Sequence, residues 1–519
     1  MHASGSIAQR ECRRRVWPSI EQQVFDVAVI GGGINGASVF HELGRRGYSA
    51  VLLEKGDFAS GTSQTSAMMI WGGLLYLRHW DLRTVFRLCR ARERLLKEHG
   101  DWVRPALYRY LPDSAGSQPN LLISAAMHFY WLCGGGRRQH PRREAIFPEQ
   151  SFLRSERFTE SFIYEDAALG HSDARFVLRW VLDGRCPTHV PLNYCALEGG
   201  EYDRSNRCWR LDVNDSLLDH STTLRARCVV NAAGVWTDAI NERFGRRTPY
   251  RHVLSKGVSI GLRRDPRLTI PLVFNTQHTR DSMVLIPWGP ISLWGSTETQ
   301  VNHPEAGFRV NSGDVRALLS ELNRNLVVPV GPEDIVSIRS GVRPLAVHLD
   351  HESRTHTLGI ARRSRIHRDE HEPWISVYGG KLTDCLTLAA EIGRLLEREL
   401  GRKHRVAPSA TDSPEPAFQF FPQLDTPVPT PQWCAENEMC WTLDDYLRRR
   451  TNIAQWIPRA GLGAFDEHEQ ALLDIATAFG DCDSAAAQLE QYKSKVREHF
   501  DKVLAGVEIG REERAAVPV

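Results

Sequence analysis

One segment near the amino terminus limits the fold of this chain more than any other. Residues Val24–Ile30 (VFDVAVI) are nearly all apolar, which is typical of a parallel strand buried on both faces. Three glycines end this run, residues 35–46 have a helical pattern, and a second apolar strand, Ala50–Leu53, precedes Glu54. This order is a complete βαβ unit, and it predicts an α/β fold with a Rossmann-type sheet.

The glycines of this unit have the spacing of a dinucleotide-binding loop. Gly31, Gly33 and Gly36 fit the pattern G-x-G-x-x-G, in which the first glycine permits a tight turn and the second admits a pyrophosphate. The third lets the helix pack closely on the strand, so that the helix N-terminus faces the phosphates. Glu54 lies 18 residues after Gly36, where its carboxylate can accept hydrogen bonds from ribose hydroxyls. The motif predicts a dinucleotide but does not distinguish FAD from NAD.

Charge and cysteine content argue against several classes of protein. The 519 residues include 65 Lys or Arg and 63 Asp or Glu, a net charge of +2, which argues against a general nucleic-acid binder. The 11 cysteines include no C-x-x-C pair, so we expect neither a metal site nor a disulfide framework and favour a cytoplasmic location. No run of 18 apolar residues occurs, which argues against a membrane-spanning helix.

Two basic segments raise the question of a membrane surface. Residues 1–23 contain four arginines but no apolar core of a secretory signal, so we expect a disordered tail, with a membrane- or partner-binding arm as the alternative. Residues 81–99 predict an amphipathic helix with apolar residues such as Leu82 and Phe86 on one face and arginines on the other. That arginine face is either the solvated side of a packed helix or a membrane-surface face.

Two later segments indicate that the chain returns to the same nucleotide. The strand-like residues 226–231 are followed by Ala233 and Gly234, and the strand-like residues 374–378 are followed by Gly380 before another helical pattern. Such returns are typical of flavoproteins of the glutathione-reductase type, whereas a nicotinamide dehydrogenase needs a different second half. The order of segments therefore favours a flavin dinucleotide.

Seven stretches together resemble the FAD-dependent glycerol-3-phosphate dehydrogenases. The resemblance extends from about residue 25 to residue 400, and it is weaker in the C-terminal stretch TLDDYLRRRTNI. The stretches that carry it are VIGGGINGA, TSQTSAMMIWGGLLYL, ARCVVNAAGVWTD, SKGVSIGL, LWGSTET, SGVRPL and ISVYGGKLTD. The family resemblance implies FAD as the cofactor and hydride transfer from a secondary alcohol carbon to flavin N5. It implies a quinone or oxygen as the electron acceptor.

The resemblance also implies an architecture of three parts. These are a Rossmann-type FAD-binding domain, an antiparallel-sheet substrate domain and a small C-terminal helical domain, and seven prolines within residues 408–431 indicate a linker before the last. The expected boundaries are a tail at 1–23, the FAD-binding domain at 24–105, 165–250 and 340–403, the substrate domain at 106–164 and 251–339, the linker at 404–431 and the helical domain at 432–519.

The resemblance assigns roles to individual residues. The catalytic residues implied are Arg343, Lys381 and Tyr76. The substrate-binding residues implied are Arg354, Trp71, Leu75, Ser259 and Glu298. The FAD-binding residues implied are Gly31, Gly32, Gly33, Asn35, Gly36, Glu54, Lys55, Thr62, Ser63, Ser66, Gly72, Gly73, Ala233, Gly234, Gly380, Leu382 and Thr383. A homodimer and peripheral association with the inner face of the membrane stay open as expectations.

Four positions depart from the family pattern around the flavin and the substrate. Where the family has Lys, His, Arg and a second His, this chain has Met68, Trp71, Leu75 and Ser259. A phosphate site loses charge-assisted hydrogen bonds by such changes, each worth about 1.5–3 kcal/mol, and the usual general bases are absent. The departures raise an alternative, a same-fold FAD enzyme that acts on a different alcohol, a phosphonate or an amine. They also predict that glycerol 3-phosphate is a poor substrate.

Overall fold

The structure, a computed structural model, describes residues 3–113, 120–145, 151–158, 160–275, 282–351, 363–403 and 414–507. Its strands are β1 Val24–Ile30, β2 Ala50–Leu53, β3 Met69–Ile70, β4 Val103–Leu111, β5 Arg142–Ala145, β6 Glu160–Leu169, β7 His189–Leu192, β8 Cys195–Asp203, β9 Cys208–Asp215, β10 His220–Asn231, β11 Tyr250–Arg263, β12 Leu272–Asn275, β13 Ser282–Trp288, β14 Ile291–Gly295, β15 Thr299–Val301, β16 Ile335–His348, β17 Arg365–Arg368, β18 Trp374–Tyr378, β19 Phe418–Gln419 and β20 Val428–Pro429. Its α-helices are α1 Ala3–Gln22, α2 Ile34–Arg45, α3 Leu82–Glu98, α4 Asn120–Cys133, α5 Asp173–Asp183, α6 Thr237–Arg243, α7 Pro304–Phe308, α8 Ser312–Asn323, α9 Cys385–Leu400, α10 Pro431–Glu438, α11 Leu443–Asp445, α12 Ile453–Trp456, α13 Glu469–Ala476 and α14 Cys482–Val496.

The first sheet is the predicted Rossmann-type sheet. Its strands run in the order β17-β18-β10-β1-β2-β7, and β18, β10, β1, β2 and β7 are parallel. On one face, Val27 and Val29 of β1 pack with residues of α2, α5 and α9 such as Phe40. On the other face, Phe25 and Ala28 pack with residues of α1, β8 and β9. Because β1 is buried on both faces, its sequence is apolar except for Asp26, and the predicted α/β class is confirmed.

The second sheet is mostly antiparallel, as expected for the substrate domain. Its strands run in the order β15-β11-β14-β13-β12-β4-β6-β3, with β16 beside β11 and β5 beside β6. Three expected domain boundaries need correction, because residue 105 falls inside β4, residue 164 inside β6 and residue 340 inside β16. Each of these strands pairs along its length with neighbours in this sheet, which no local sequence pattern reveals.

The C-terminal helices share their hydrophobic core with the second sheet. Trp294 of β14 and Leu322 of α8 belong to one buried cluster with Tyr446 and Leu472 from the C-terminal region. The region expected to begin a separate helical domain at residue 432 is thus a layer on the substrate sheet. Part of the expected linker, residues 404–413, lies outside the described residues, and the rest includes the paired strands β19 and β20.

The amino-terminal segment is a helix, which corrects the expectation of a disordered tail. Helix α1 packs on the first sheet, where Nε of Arg13 donates to Asp215 at 2.6 Å and the indole N–H of Trp17 donates to the same carboxylate at 3.0 Å. Gln9 also donates to the carbonyl of Ala435 at 2.8 Å. This helix was not predicted because its buried face has few apolar residues. Its principal partner, Asp215, also lies about 200 residues away in the chain.

A buried ion network joins the C-terminal helices to the loop after β2. Asp57 accepts hydrogen bonds from Arg449 and Arg450, both at 2.6 Å, and Arg449 also donates to Asp445 at 2.7 Å. Burial alone would raise the pKa of Asp57, but the two guanidinium groups outweigh it and lower the pKa to about 2. Asp57 therefore stays ionised at neutral pH, and its ion pairs fix the C-terminal layer to the loop after β2.

The predicted amphipathic helix at residues 81–99 is confirmed as α3. Asp81 caps its N-terminus by accepting a hydrogen bond from the amide of Thr84 at 3.2 Å. Its Val85 is buried, whereas Leu82 and Phe86 are exposed to 43% and 46%. Among the described residues, no helix is long and apolar enough to cross a membrane.

Candidate active site

Four loops meet at the carboxyl edge of the parallel sheet. In register, Ile30 at the end of β1 pairs with Leu53 of β2 and with Asn231 of β10, and Asn231 pairs with Ser376 of β18. Since the carboxyl ends of parallel strands lie at one edge of a sheet, the segments that follow these strands are neighbours. They line a cavity of about 530 Å³, which we call the nucleotide cavity.

The three motif glycines serve different purposes in this loop. Gly31 has a φ of +100°, and a Cβ there would lie 2.7 Å from the carbonyl oxygen of Ala232. A Cβ on Gly36 would lie 1.8 Å from the carbonyl oxygen of Gly31. At Gly33 a Cβ would meet only Oγ of Ser63, at 3.1 Å. The chain itself therefore requires the first and third glycines, whereas the second leaves open space beside the N-terminus of α2 for a ligand.

Glu54 is held at the edge of the nucleotide cavity by backbone amides. Its two carboxylate oxygens accept hydrogen bonds from the amides of Gly32 at 2.7 Å and Gly56 at 2.8 Å. Burial raises the pKa of the Glu54 carboxyl, and the two amides oppose that rise. The ammonium group of Lys55 lies 3.8 Å from the centre of the Trp236 ring, which forms another wall of the cavity.

A second cavity of about 300 Å³, which we call the substrate cavity, adjoins the first. The residues common to both linings are Ile34, Thr62, Ser63, Pro344, Gly379 and Gly380. Together the cavities form one trough that begins at Glu54, passes the N-terminus of α2 and ends at Arg343 and Lys381. A trough with a carboxylate placed to accept from ribose hydroxyls, a helix N-terminus for phosphates and a partly enclosed far end fits a flavin dinucleotide.

Most of the residues predicted to bind FAD line this trough. Those in the nucleotide cavity are Gly31, Gly33, Asn35, Glu54, Lys55, Thr62, Ser63, Ala233, Gly234 and Gly380. Those only in the substrate cavity are Ser66, Leu382 and Thr383. Gly32, Gly36, Gly72 and Gly73 line neither cavity. The first two shape the loop, and Gly72 donates its amide hydrogen to Asp166 at 3.3 Å.

Asn35 joins two parts of the trough that are far apart in sequence. Its side-chain amide donates to the carbonyl of Gly379 at 2.8 Å, while its Oδ1 atom has no partner among the described residues. A Cβ on Gly380 would lie 2.6 Å from that oxygen, so glycine is needed there for close approach. The return of the chain at residues 379–380, predicted from the sequence, is therefore held directly against the glycine loop.

Arg343 lies in the wall of the substrate cavity with its guanidinium held by oxygen acceptors. Nη1 donates to the carbonyl of Thr297 at 3.2 Å, and Nη2 makes a short hydrogen bond with Oγ of Ser296. A Cβ on Gly257 would lie 2.7 Å from the Cζ atom of Arg343, so the glycine of β11 leaves room for the guanidinium. These contacts fix its orientation while leaving one face towards the cavity.

Lys381 lies in the same cavity and contacts Tyr76. Its ammonium group makes a short hydrogen bond with the phenol oxygen and lies 4.2 Å from the centre of that ring. No carboxylate within the described ranges forms an ion pair with Lys381. Tyr76, which was predicted to be catalytic, does not line the cavity. The positive charge of Lys381 is therefore available to an anion in the cavity.

Only some of the other residues predicted to bind the substrate line the cavity. Trp71, Leu75 and Ser259 line the substrate cavity. Glu298 does not line it and accepts a hydrogen bond from Ser255 at 3.2 Å, behind Arg343. Arg354 lies outside the described residues. Of the four positions that depart from the family pattern, three line the cavity, whereas Met68 is buried behind the wall.

Sequence reasoning missed three residues that form the apolar wall of this cavity. Tyr164 of β6, Val273 of β12 and Val284 of β13 face it from the antiparallel sheet. Their strands carry no unusual motif, and only alternation along a half-buried sheet could have suggested their direction. Together with Trp71 and Leu75, they give the cavity a large neutral surface opposite its cations.

The segment that carries Trp71 is anchored by a buried acid. Asp166 of β6 accepts hydrogen bonds from Arg92 at 2.9 Å and from the phenol of Tyr130 at 2.6 Å, in addition to the amide of Gly72. Burial raises the pKa of Asp166 and the Arg92 guanidinium opposes that rise. This network was not predicted, because it joins three separate elements, and it holds the polypeptide between Trp71 and Leu75 in place.

Two further cavities adjoin the substrate cavity. One of about 180 Å³ shares Lys381 with it, and its other basic residues are Arg83, Arg87, Arg363 and Arg365. The other, of about 400 Å³, shares Leu75 with it and is lined mainly by apolar residues. We call this second one the apolar groove. It lies between the turn at Leu74–His79 and helix α4.

A family model and several known proteins match this chain, and their descriptions agree with one another. A family model described as FAD dependent oxidoreductase matches residues 26–397. The glycerol-3-phosphate dehydrogenase of Pseudomonas tolaasii is 31% identical over 382 residues, which cover 71% of this chain and 70% of that protein. The D-erythritol 1-phosphate dehydrogenase of Brucella abortus is 29% identical over 380 residues, which cover 71% of this chain and 73% of that protein.

A solved structure supports the fold over nearly the whole chain. The glycerol-3-phosphate dehydrogenase from Bacillus halodurans, determined in complex with FAD, matches with a TM-score of 0.72 at 19% identity and covers 97% of this chain and 99% of its own. The expected cofactor and the expected resemblance are thus confirmed. The chain belongs to the family of FAD-dependent oxidoreductases, is related to the glycerol-3-phosphate dehydrogenases and uses FAD as its cofactor.

Proposed function

We propose that this enzyme oxidises a secondary alcohol of an anionic substrate, such as a polyol phosphate, other than glycerol 3-phosphate itself. The observation that carries the proposal is the charge of the substrate cavity. Arg343 and Lys381 line it, and none of its described lining residues is Asp or Glu. Two cations in a cavity lining that contains no described carboxylate favour a phosphate or carboxylate group on the substrate.

The same charges argue against an amine. An alkylammonium substrate would approach two fixed positive charges in a partly enclosed cavity, where like charges repel more strongly than in water. The basic cavity that shares Lys381 adds Arg83 and Arg365 to the positive field outside. Such a field raises the rate at which anions reach the site. Of the substrates that the sequence left open, an anionic alcohol fits best.

The replaced residues argue against glycerol 3-phosphate as the preferred substrate. Trp71 and Leu75 line the cavity where related enzymes have His and Arg, so one phosphate-binding cation and one base are absent. The name of the Brucella abortus relative, D-erythritol 1-phosphate dehydrogenase, gives a precedent within the family for a longer polyol phosphate. We therefore assign a substrate that is larger than glycerol 3-phosphate and carries one anionic group.

The residues of the chain have distinct roles in this reaction. Bound FAD supplies the hydride acceptor, which is the general chemistry of the family. Arg343 binds the anionic group or the reacting oxygen, and its contacts with Ser296 and Thr297 fix its direction. Lys381, oriented by Tyr76, stabilises the negative charge that develops on the substrate oxygen as its proton passes to solvent water.

Anaerobic flavin reduction tests the substrate class directly. The oxidised enzyme is mixed without oxygen with glycerol, glycerol 3-phosphate, D-erythritol 1-phosphate and glycine, and loss of the flavin absorbance is followed. We expect reduction by D-erythritol 1-phosphate, at least about tenfold slower reduction by glycerol 3-phosphate, and none by glycerol or glycine. Reduction by glycine faster than by either phosphate would show that the enzyme is an amine oxidase.

The apolar groove supports a second proposal, concerning the electron acceptor. We propose that electrons leave to a membrane quinone and that the protein lies on the inner face of the membrane. Trp80, which lines the groove, and Leu121 of α4 are each 82% exposed, and Leu132 of α4 is 61% exposed. Leu75 belongs to both the groove and the substrate cavity, so an apolar ring in the groove would approach the flavin end of the trough.

Vesicle binding tests the membrane proposal. We expect the protein to sediment with vesicles of phosphatidylglycerol and phosphatidylcholine, and Trp80→Ser with Leu121→Ser to lower the bound fraction at least fivefold. Phe465→Ser is the matched control, because Phe465 is 91% exposed in the C-terminal region far along the chain. Equal binding by both variants, or faster flavin reoxidation by oxygen than by a short-chain ubiquinone, would contradict the proposal.

A further inference from the structure

The loop that follows β2 forms one side of the whole trough. We call residues 54–66 the cofactor loop, because they line both cavities. Oγ of Ser63 accepts a hydrogen bond at 3.0 Å from the amide of Ile34, in the first turn of α2. The position of this loop therefore shapes the phosphate site at the N-terminus of that helix. Its lining residues are Glu54, Lys55, Gly56, Ser60, Gly61, Thr62 and Ser63 in the nucleotide cavity and Thr62, Ser63, Thr65 and Ser66 in the substrate cavity.

A π-helical turn of the C-terminal layer, Tyr446–Arg450, holds the cofactor loop at two points. At the first point, Nε of Arg449 donates a hydrogen bond to the carboxylate of Asp57 at 2.6 Å. At the second point, Oε1 of Gln64 accepts hydrogen bonds from Nε of Arg448 at 3.1 Å and from Nη1 of Arg449 at 3.3 Å. One arginine thus bonds to both points at once, and its neighbour strengthens the second.

Gln64 passes the second contact on to the turn that lies between the two cavities. Its Nε2 donates a hydrogen bond to the carbonyl of Ser60 at 2.5 Å, and its backbone carbonyl accepts one from Arg339 at 2.6 Å. The turn from Ser60 to Gln64 contains Thr62 and Ser63, which line both cavities. The side chain of Gln64 therefore closes this turn on one side and bonds to the C-terminal layer on the other.

The charge of Arg448 is not compensated by an ion pair. Burial lowers the pKa of its guanidinium, although the nearby Asp444 opposes that shift. Arg448 forms no ion pair with a carboxylate in the described part of the chain, and there its side chain donates only to Gln64. A partly buried cation with a neutral acceptor is a poor source of folding stability, so this contact points to a role in fixing the loop.

We propose that Gln64, Arg448 and Arg449 are positioning residues for FAD. The C-terminal layer holds the cofactor loop against the N-terminus of α2, and FAD is retained tightly only while this contact is made. The inference goes beyond the proposed function, because it concerns retention of the cofactor and holds for any substrate. It also gives a task to the C-terminal layer, none of whose described residues lines either cavity.

Release of FAD from the holoenzyme tests this role. The full-length holoenzyme is diluted, and release is followed as the rise in flavin fluorescence. In Gln64→Met, which keeps the length of the side chain but removes the acceptor, we expect release to be at least about tenfold faster, because two charge-assisted hydrogen bonds are lost. In Gln64→Glu, whose carboxylate can accept from both arginines, the rate should stay within about threefold of wild type.

Arg459→Met is the matched control. Arg459 lies in the same layer and donates to Asp501 at 2.9 Å and to Asp466 at 2.8 Å, so its loss weakens the layer without removing a contact of the cofactor loop. In this variant FAD release should keep its wild-type rate, whereas the loss of circular dichroism on heating should shift to lower temperature. In Gln64→Met, by contrast, flavin fluorescence should rise at a temperature below that at which circular dichroism is lost.

Arg448→Met removes the same contact from the other side and provides the test if Gln64→Met does not fold. We expect faster release by a smaller factor, because Arg449 still donates to Gln64. Wild-type release rates in both variants, equal acceleration in Gln64→Met and Gln64→Glu, or the same acceleration in Arg459→Met would overturn the positioning role. These outcomes leave the substrate class untouched, which the anaerobic reduction assay tests separately.

Discussion

Replacing Arg343 by alanine is expected to lower kcat/KM for the true substrate by a factor of about 10²–10³. Removal of one preorganised donor to a developing oxyanion typically costs a factor in this range, and Arg343 is one of two cations that line the cavity within the described residues. The measurement is the rate of anaerobic flavin reduction, together with the FAD content of the purified variant, which should stay at the wild-type value.

Two further variants show whether the loss is specific to the guanidinium. Ser340→Ala, on the same strand, removes a hydroxyl that donates to Gly307 and does not line the cavity, so its rate should stay within about twofold of wild type. Arg343→Lys keeps the charge but not the bidentate geometry and should recover only part of the loss. A rate in Arg343→Ala equal to that of wild type would remove Arg343 from the site.

Combining Trp71→His with Leu75→Arg is expected to raise kcat/KM for glycerol 3-phosphate by about 10²-fold or more. The two substitutions restore a titratable group and a phosphate-binding cation at positions that line the cavity. A general base contributes about 10²–10⁴-fold, and a charge-assisted hydrogen bond adds to that gain. The assay is steady-state oxidation of glycerol 3-phosphate with an artificial dye as the acceptor.

The matched control moves the new charge out of the cavity. Trp71→His with Leu77→Arg adds the same two side chains, but Leu77 lines the apolar groove and not the substrate cavity, so the gain should be much smaller. If the unaltered enzyme already oxidises glycerol 3-phosphate with a kcat/KM within the ordinary enzymatic range of about 10⁴–10⁸ M⁻¹s⁻¹, the expectation of a poor substrate is wrong.

Features that depend on residues close together in the sequence were predicted, whereas features that depend on residues far apart in the chain were missed. The glycine loop, Glu54 and the parallel strands were predicted because each signal lies within a βαβ unit of about 30 residues. The returns at Gly234 and Gly380 were predicted because a glycine turn after a buried strand is also a local pattern. Helix α1 was missed because Arg13 and Trp17 find their partner in Asp215, far along the chain.

The residues that line the substrate cavity likewise divide into those that the sequence indicated and those that it did not. The sequence, compared with its family, indicated that Trp71 and Leu75 lie near the flavin, and they do line the substrate cavity. Tyr164 gave no signal, because a tyrosine in an alternating strand is ordinary until its neighbours across the sheet are known. The attachment of Arg449 and Arg450 to Asp57 likewise joins residues about 390 positions apart.

The sequence by itself determined the nucleotide-binding unit and the dinucleotide, since these depend on residue type and local spacing, and its comparison with the family pattern indicated the loss of four polar groups near the flavin and the substrate. Only the tertiary structure decided the charge of the substrate cavity and its neutral wall. The physical reason is that a cavity is formed by side chains from strands that pair across long stretches of chain. Its chemistry is therefore set by the register of the sheet.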